Sequence, residues 1–158
     1  LHYDMVRVGL ALYGHNPLNF PNQDCDLKQA MSVKARVTLL RSVPPGTGVG
    51  YGHAFITKRN TRLAVIGIGY ADGVSRLLSG KIFALYKGDF LPQVGAIAMD
   101  QLVIDITDNT DINVGDIVTL LGHDDYGSID VRDWSDKSGF IPWEVLCGFK
   151  NRLPRVVV

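Results

Sequence analysis

Between residues 33 and 122 the chain consists of short runs rich in β-branched and other apolar residues, separated by turn residues. These runs lie at 33–43, 62–70, 81–88, 93–99, 102–107 and 116–122. Runs of this length, with Gly, Asp and Asn between them, are typical of strands in antiparallel sheets. The spacing therefore predicts a mainly β domain, built as a barrel or a sandwich.

The pattern changes on both sides of this region. SIDVRDWSDKSG (128–139) offers a Ser or Asp cap and a Gly stop, and PWEVLCGF (142–149) puts Pro at a first helical position, which predicts one or two short helices near the end. MVRVGLALYG (5–14) is a nearly continuous apolar run, typical of a strand buried on both faces of a parallel sheet. Pro and Asn without periodicity follow and predict a linker over 15–30.

Charge and hydropathy exclude several classes of partner. Lys and Arg total 16, as do Asp and Glu, so the chain lacks the excess of positive charge that nucleic acids or anionic membranes attract. No apolar run is long enough for a bilayer-spanning helix, and the first residues show neither a signal peptide nor an initiator Met. We therefore expect no nucleic-acid or membrane partner, and we expect the chain to be a C-terminal part of a longer protein.

Three features resemble sites but are better explained as ordinary structure. Cys25 and Cys147 stand alone, which gives neither a disulfide framework nor a metal spacing and fits a reducing cytosol. HDDYGSID (123–130) gathers one His and three Asp, but its turn residues predict a connection between a strand and a helix rather than a metal site. The glycines of 48–52 are not followed by a helical pattern, so we expect a strand connection instead of a phosphate-binding loop.

Two polar residues in apolar runs are candidates for function. Tyr70 ends the run 62–70 and precedes the turn residues 71–73, so it is either an edge residue half in water or a group directed at a ligand. The pattern alone favours the edge residue. Arg7 lies in a run suited to complete burial, where a guanidinium must be paired. It either pairs with an acid outside this chain or points at a ligand, and the sequence supports both equally.

Four segments together resemble the C-terminal part of alanine racemase. They are MVRVGLALYG, GIGYADGVSR, VGAIAMDQLVID and CGFKNRLPR, in this order and spacing. The most specific pair is GYADG followed about thirty residues later by MDQ. The resemblance covers essentially the whole chain. It implies that 1–14 is the last strand of an N-terminal (β/α)8 barrel, 15–30 a linker and 31–158 the C-terminal β domain.

The resemblance also implies a function. The family uses pyridoxal 5'-phosphate to interconvert L-alanine and D-alanine, and it forms homodimers whose active sites are shared between subunits. The product would serve peptidoglycan synthesis for a bacterial cell wall, in the cytoplasm. Tyr70 matches the catalytic tyrosine, which acts across the dimer interface on one face of the substrate while a lysine acts on the other. Met99 matches a residue whose backbone N–H binds the substrate carboxylate, and Asp100 supports that loop.

The remaining matches concern the cofactor. Arg7 matches the arginine that donates to the cofactor's ring nitrogen, and Gly9 and Leu10 match backbone positions around its phosphate. Asn151 stands where some members have a phosphate-binding tyrosine. Two further departures are Ala96, where an entryway arginine is common, and Ala98, where a cysteine is common.

No lysine of this chain lies in a motif suited to holding the cofactor, so we expect this fragment alone to be inactive. One alternative is a non-catalytic β domain that mediates dimerisation or ligand binding. Another is a serine or broad-specificity racemase of the same fold. A basic amino-acid decarboxylase of the same plan is disfavoured because that class lacks GYADG.

Overall fold

A computed structural model describes residues 3–17 and 27–157. The strands in this part of the chain are β1 (Val33–Val43), β2 (Gly48–Val49), β3 (Phe55–Ile56), β4 (Thr61–Ile66), β5 (Phe83–Tyr86), β6 (Asp89–Val94), β7 (Leu102–Asp105), β8 (Ile117–His123) and β9 (Ser128–Ile129). The α-helices are α1 (Val131–Ser138) and α2 (Pro142–Gly148). Short 3₁₀ helices lie at Gly9–Tyr13, Tyr51–His53, Tyr70–Asp72 and Arg76–Leu78.

Six of the described strands close into an antiparallel barrel in the order β1–β4–β7–β6–β5–β8. β1 closes it, because its first half pairs with β8 from Val33 opposite Leu121 and its second half pairs with β4 up to Val43 opposite Thr61. A register shift between residues 37 and 39 marks a bulge, which bends a strand locally. The predicted mainly β class is confirmed, and its form is a closed barrel.

The barrel core follows the alternation of side chains along each strand. In β7, Leu102 and Ile104 are buried, whereas Val103 and Asp105 are only partly buried. This period of two is that of a strand with one face inward. Burying each such Leu or Ile contributes about 1.5–3 kcal/mol. Trp134 of α1 belongs to the same cluster, so the helices and the barrel share one core.

Both predicted helices are confirmed. The Asp130 carboxylate accepts from the Arg132 N–H at 2.8 Å, the Asp133 carboxylate accepts from the Asp130 N–H at 3.0 Å, and α1 ends at Gly139 with a φ of 80°. These contacts satisfy the free N–H groups of the first turn and stop the helix at a left-handed residue. α2 begins with Pro142, at a position where the missing N–H costs nothing.

The described chain has no strand over residues 5–14. Residues 9–13 form a 3₁₀ helix, and residues 3–9 are exposed. A strand needs neighbours that accept its backbone hydrogen bonds, and no strand of the described chain pairs with this segment. Its assignment to the last strand of a (β/α)8 barrel stays a prediction.

Four predicted strands are shorter than expected, and one of them is the run 102–107, which is a strand only over Leu102–Asp105. The run 62–70 is a strand only to Ile66, the run 81–88 is a strand over Phe83–Tyr86, and the run 93–99 contributes only its first two residues to β6. Gly95 ends β6 because its φ of 73° lies outside the range of extended strands. The leftover residues form the turns that carry the candidate site.

The glycine-rich stretch and the loop after β8 both connect strands in the structure, although the second was predicted to lead directly into a helix. β2 and β3 pair as a short hairpin around the glycine-rich stretch, which is therefore a strand connection. Asp124 Oδ1 accepts from the N–H groups of Tyr126 and Gly127 at 2.8 and 3.0 Å, which closes the turn between β8 and β9. Within the described ranges, no group of three or more His, Cys, Asp or Glu side chains could hold a metal ion.

The predicted linker has neither helix nor strand at 15–17 and 27–30, and residues 18–26, with Cys25, lie outside the described residues. Cys147 is an exposed free thiol. Among the helices of the described chain, none has both the length and the apolar character needed to cross a bilayer.

Tyr86 and Asp116 form a polar contact that ties β5 to the residues before β8. Tyr86 is only 6% exposed, and its hydroxyl donates to Asp116 Oδ2 at 2.7 Å. Burial of the phenol is the main cause that raises the pKa of Tyr86, and the hydrogen bond to Asp116 is the second cause. The same hydrogen bond, with a second one from the Asn113 N–H, lowers the pKa of Asp116.

Tyr86→Phe is expected to lower the free energy of unfolding by about 1–2 kcal/mol at neutral pH, because it removes a hydrogen bond to a charged acceptor. A lowered folded-state pKa means that the contribution of Asp116 is present above the ordinary Asp value of about 3.9 and is lost as the pH falls through the lowered value. The difference in the free energy of unfolding between wild type and Tyr86→Phe should therefore become smaller as the pH falls below about 3.9. Urea unfolding on both sides of that pH measures it, and an unchanged difference would contradict this account.

Candidate active site

Tyr70 lies in a turn that leaves the end of β4. The chain passes from Ile66 through Gly69 into the 3₁₀ helix Tyr70–Asp72, which ends at Gly73 with a φ of 119°. Residues 68 and 74 on either side are fully buried, whereas the Tyr70 side chain is 43% exposed. We call residues 69–73 the tyrosine turn. The phenol of Tyr70 faces outward, and the buried residues before and after the turn anchor its backbone in the core.

Met99 and Asp100 lie in a second turn, between β6 and β7. The Ala98 N–H donates to the Gln101 carbonyl at 2.9 Å, which closes this turn. We call residues 98–101 the methionine turn. Met99 is 52% exposed. Its N–H donates to no acceptor among the described residues, so this donor is available to a ligand.

The order of the strands brings the two turns together. β7 lies between β4 and β6, with Ile66 opposite Leu102 and Val94 opposite Val103. Because neighbouring strands run antiparallel, the end of β4 and the connection from β6 to β7 leave the barrel at the same end. The fold therefore places both turns beside each other, although 28 residues separate their central positions in the sequence.

Backbone hydrogen bonds join the two turns directly. The Tyr70 N–H donates to the Ala98 carbonyl, and the Ala71 N–H donates to the Met99 carbonyl, both at 3.0 Å. A Cβ on Gly69 would lie 2.3 Å from the Ala98 oxygen and 2.4 Å from the Met99 oxygen. Only glycine allows this approach, because any side chain would overlap these carbonyls.

Two carboxylates and one guanidinium bridge the turns. Asp72, in the tyrosine turn, is buried, and its Oδ2 accepts from the Gly69 N–H at 2.9 Å. Arg152 Nε lies 3.2 Å from Asp72 Oδ1, and Arg152 Nη2 donates to Asp100 Oδ1 at 2.5 Å. The hydrogen bond to Asp100, with the charge of Asp72, raises the pKa of Arg152. One cation thus connects the tyrosine turn to the methionine turn.

A shallow depression lies beside the phenol of Tyr70. Arg76 and Lys150 line it, together with Gly73, Ser75 and Gly148. Neither Arg76 nor Lys150 forms an ion pair with another described residue. The depression therefore carries uncompensated positive charge, which favours a ligand with a carboxylate or a phosphate.

The expected cofactor residues lie on a different segment. Arg7 and Gly9 are exposed and Leu10 is buried, at the start of the 3₁₀ helix over 9–13. The sequence pattern predicted burial of Arg7 inside a strand, whereas Arg7 is exposed in the described chain, where that strand is absent. No hydrogen bond or ion pair of the described chain joins Arg7 or Gly9 to Tyr70.

The remaining sequence candidates lie near the turns. Asn151 is exposed in the turn after α2, directly before Arg152. Ala96 is half-buried, and its N–H lies 2.9 Å from the position a Cβ on Gly50 would take. The structure thus groups Tyr70 with the methionine turn and brings the glycine-rich loop against Ala96.

Comparison with known proteins identifies the family. A family model described as "Alanine racemase, C-terminal domain" matches residues 30–157. The chain belongs to the alanine racemase family. It is 62% identical over 158 residues to the alanine racemase of Prochlorococcus marinus and 52% identical over 158 residues to that of Nostoc sp., in each case over the whole chain and 41% of the relative.

Solved alanine racemases share the fold. The enzyme from Bartonella henselae, with covalently bound pyridoxal phosphate, matches with a TM-score of 0.86 and 36% identity over 95% of this chain and 40% of that chain. The enzyme from E. faecalis matches with a TM-score of 0.85 and 32% identity over 93% of this chain and 39% of that one. The chain thus spans about two fifths of the length of these racemases.

Sequence reasoning missed Arg152 as a member of this group of residues. The CGFKNRLPR segment contributed to the resemblance and to the Asn151 position, but sequence gives no sign of which acid a distant arginine meets. The one available signal was the pair of acids Asp72 and Asp100, each close to a candidate residue.

Gly69→Ala should separate the two turns, because its methyl group overlaps both carbonyl oxygens. We expect a loss of about 1–3 kcal/mol in the free energy of unfolding and shifted amide resonances for Tyr70 and Ala71. Gly127→Ala is the matched control: this glycine also lacks a positive φ, and its Cβ would lie 3.5 Å from Leu85. Urea unfolding and amide spectra that look the same for both variants would show that the turns are not held this way.

Proposed function

We propose that this chain is the C-terminal part of a pyridoxal-phosphate-dependent racemase that interconverts L-alanine and D-alanine. In this proposal Tyr70 serves the active site of the partner subunit in a homodimer in the cytoplasm. The observation that carries the proposal is the pairing of an exposed phenol with the free N–H of Met99 on two joined turns. Membership of the alanine racemase family supports it.

Racemisation needs two proton-carrying groups on opposite faces of the α-carbon. A tyrosine hydroxyl can act as one of them when it reaches the substrate directly. Tyr70 meets the steric requirement, since its side chain faces outward from a rigid turn. The second group is a lysine in the proposal, and no lysine of this chain lies in a motif suited to holding the cofactor. That lysine would come from the rest of the protein.

The methionine turn supplies the binding contact for the substrate carboxylate. The Met99 N–H has no acceptor within the described residues, and a carboxylate is a strong acceptor for such a group. Its partner turn holds Tyr70 at a fixed place relative to this N–H. Arg76 and Lys150 add positive charge along the depression, which favours an amino acid bound through its carboxylate.

The donor set of the N-terminal segment fits pyridoxal phosphate. The first N–H groups of a helix have no acceptor within it, so those of Gly9 and Leu10 can bind a phosphate. The exposed guanidinium of Arg7 can donate to the ring nitrogen. When bound, the cofactor supplies an electron sink for the α-carbon. Asn151 would offer a neutral polar group to the phosphate in place of a tyrosine.

Tyr70→Phe in the full-length protein is expected to reduce kcat/KM for racemisation by about 10²–10⁴-fold. The loss should be equal in both directions, because the equilibrium constant between enantiomers is one. The variant should keep exchange of the α-proton with deuterated solvent for one enantiomer only, because the other proton carrier is intact. Tyr126→Phe, at an exposed tyrosine in the turn after β8, is the control.

The assay is run with alanine and with serine, and the cofactor's absorbance is recorded for each variant. Ordinary racemisation by Tyr70→Phe would overturn the assignment of this tyrosine. Absence of both cofactor absorbance and racemisation in the wild type would favour a binding or dimerisation domain instead. Turnover of serine as fast as alanine would identify a broader racemase, in keeping with Ala96 where an entryway arginine is common.

A further inference from the structure

We propose that Arg152 is a positioning residue, which sets the placement of the methionine turn relative to Tyr70 through its bonds to Asp72 and Asp100. This inference rests on the proposed function, because it concerns how the two halves of that site are held together.

The guanidinium of Arg152 contacts both turns at once. Its Nε lies 3.2 Å from Asp72 Oδ1, and its Nη2 donates to Asp100 Oδ1 at 2.5 Å. The two donors are fixed relative to each other by the planar guanidinium, so the two carboxylates are fixed as well. A lysine has one charged nitrogen and cannot impose the same geometry.

Asp72 is the fixed end of this bridge. Its side chain is 8% exposed, and one of its oxygens accepts from the Gly69 N–H while the other faces Arg152. Removing Arg152 would leave a buried carboxylate with a single neutral partner, which is costly. The tyrosine turn is therefore directly coupled to the cation.

Arg152 is itself held by the core. The end of α2 packs closely on the tyrosine turn, since a Cβ on Gly73 would lie 2.8 Å from the Gly148 carbonyl oxygen. Beyond it, the Arg155 guanidinium donates to the Phe149 carbonyl at 3.1 Å, and Phe149 packs against a buried tryptophan. The backbone around Arg152 is thus anchored on both sides.

Asp100 is the dependent end. Its side chain is 59% exposed, and Arg152 is its partner in the described chain. The methionine turn is already joined to the tyrosine turn where the Ala71 N–H donates to the Met99 carbonyl. A second point of attachment at Asp100 fixes the rotation of the turn about that bond. The direction of the Met99 N–H, which would bind the carboxylate, then depends on Arg152.

The test compares Arg152→Met and Arg152→Lys with Arg59→Met in the full-length holoenzyme. Arg59 forms another exposed ion pair, with Asp108. It lies just before the start of β4, whereas the tyrosine turn lies after the end of β4, so the control is at the opposite end of the strand. We expect KM for alanine to rise at least about tenfold in Arg152→Met, as for the loss of a charged hydrogen bond. The KM of Arg152→Lys should lie between those of wild type and Arg152→Met, and the KM of Arg59→Met should equal that of wild type.

Two further measurements separate positioning from general stability. Asp100→Asn should raise KM similarly, and combining it with Arg152→Met should add little, because both changes break one bridge. Hydrogen exchange at the Tyr70 and Ala71 amides should be about tenfold faster in Arg152→Met than in Arg59→Met, on the same estimate. If Arg152→Met does not fold, Arg152→Lys and Asp100→Asn are compared with Arg59→Met in the same two measurements.

Suppose that the wild type racemises alanine and needs Tyr70. An unchanged KM in Arg152→Met would then overturn this inference and leave the proposed function standing. If Arg152→Met does not fold, an unchanged KM in Asp100→Asn has the same meaning. A wild type without racemase activity would overturn the proposed function. The exchange rates of the two amides would then still decide whether Arg152 holds the turns together, and unchanged rates would reject it.

Discussion

The close approach of two turns is the constraint on which the rest of the site depends. The Tyr70 and Ala71 N–H groups donate to carbonyls of the methionine turn, and Gly69 leaves room for those carbonyls. Peptide groups in such contact have little freedom to shift. The backbones of the tyrosine turn and the methionine turn therefore form one rigid unit, which carries both the Tyr70 side chain and the N–H of Met99.

The barrel makes this contact possible. β7 lies between β4 and β6, so the turns that leave β4 and β6 emerge at one end of the closed sheet. Closure by β1 leaves no free edge between these strands. α2 then covers the tyrosine turn through the contact between Gly73 and Gly148 and brings Arg152 to both acids. The charged groups Arg152, Asp72 and Asp100 are thus positioned by the barrel strands and by α2.

Much of the fold could be predicted from sequence, because local rules determine it. Alternation over 33–43 gave β1 with its observed bounds, and the Asp130 cap and Pro142 located both helices. The run 5–14 has the apolar pattern of a strand but is not one in the described chain, since such a pattern does not say whether partner strands are present. The run 62–70 was drawn too long because apolar residues past Ile66 are buried in a turn rather than in the sheet.

The candidate site could be predicted only where a motif was specific. GYADG and MDQ identified the two turns as belonging together, but only the strand order showed that they touch. Arg152 could not be found from sequence, since an ion pair between residues 52 and 80 positions apart has no local signal. Arg7 and Gly9 lie on a segment with no direct bond to Tyr70 in the described chain, and the proposed function places them with the Tyr70 of the partner subunit in a shared site.

Mixing two inactive full-length variants tests that central claim most directly. If Tyr70 serves the partner's site, a heterodimer of Tyr70→Phe with Arg7→Ala collects both defects in one site and leaves the other intact. Dissociating and reassociating the two variants should then restore racemase activity well above either alone. Activity that stays at the level of the separate variants, with heterodimers shown to form, would contradict the account.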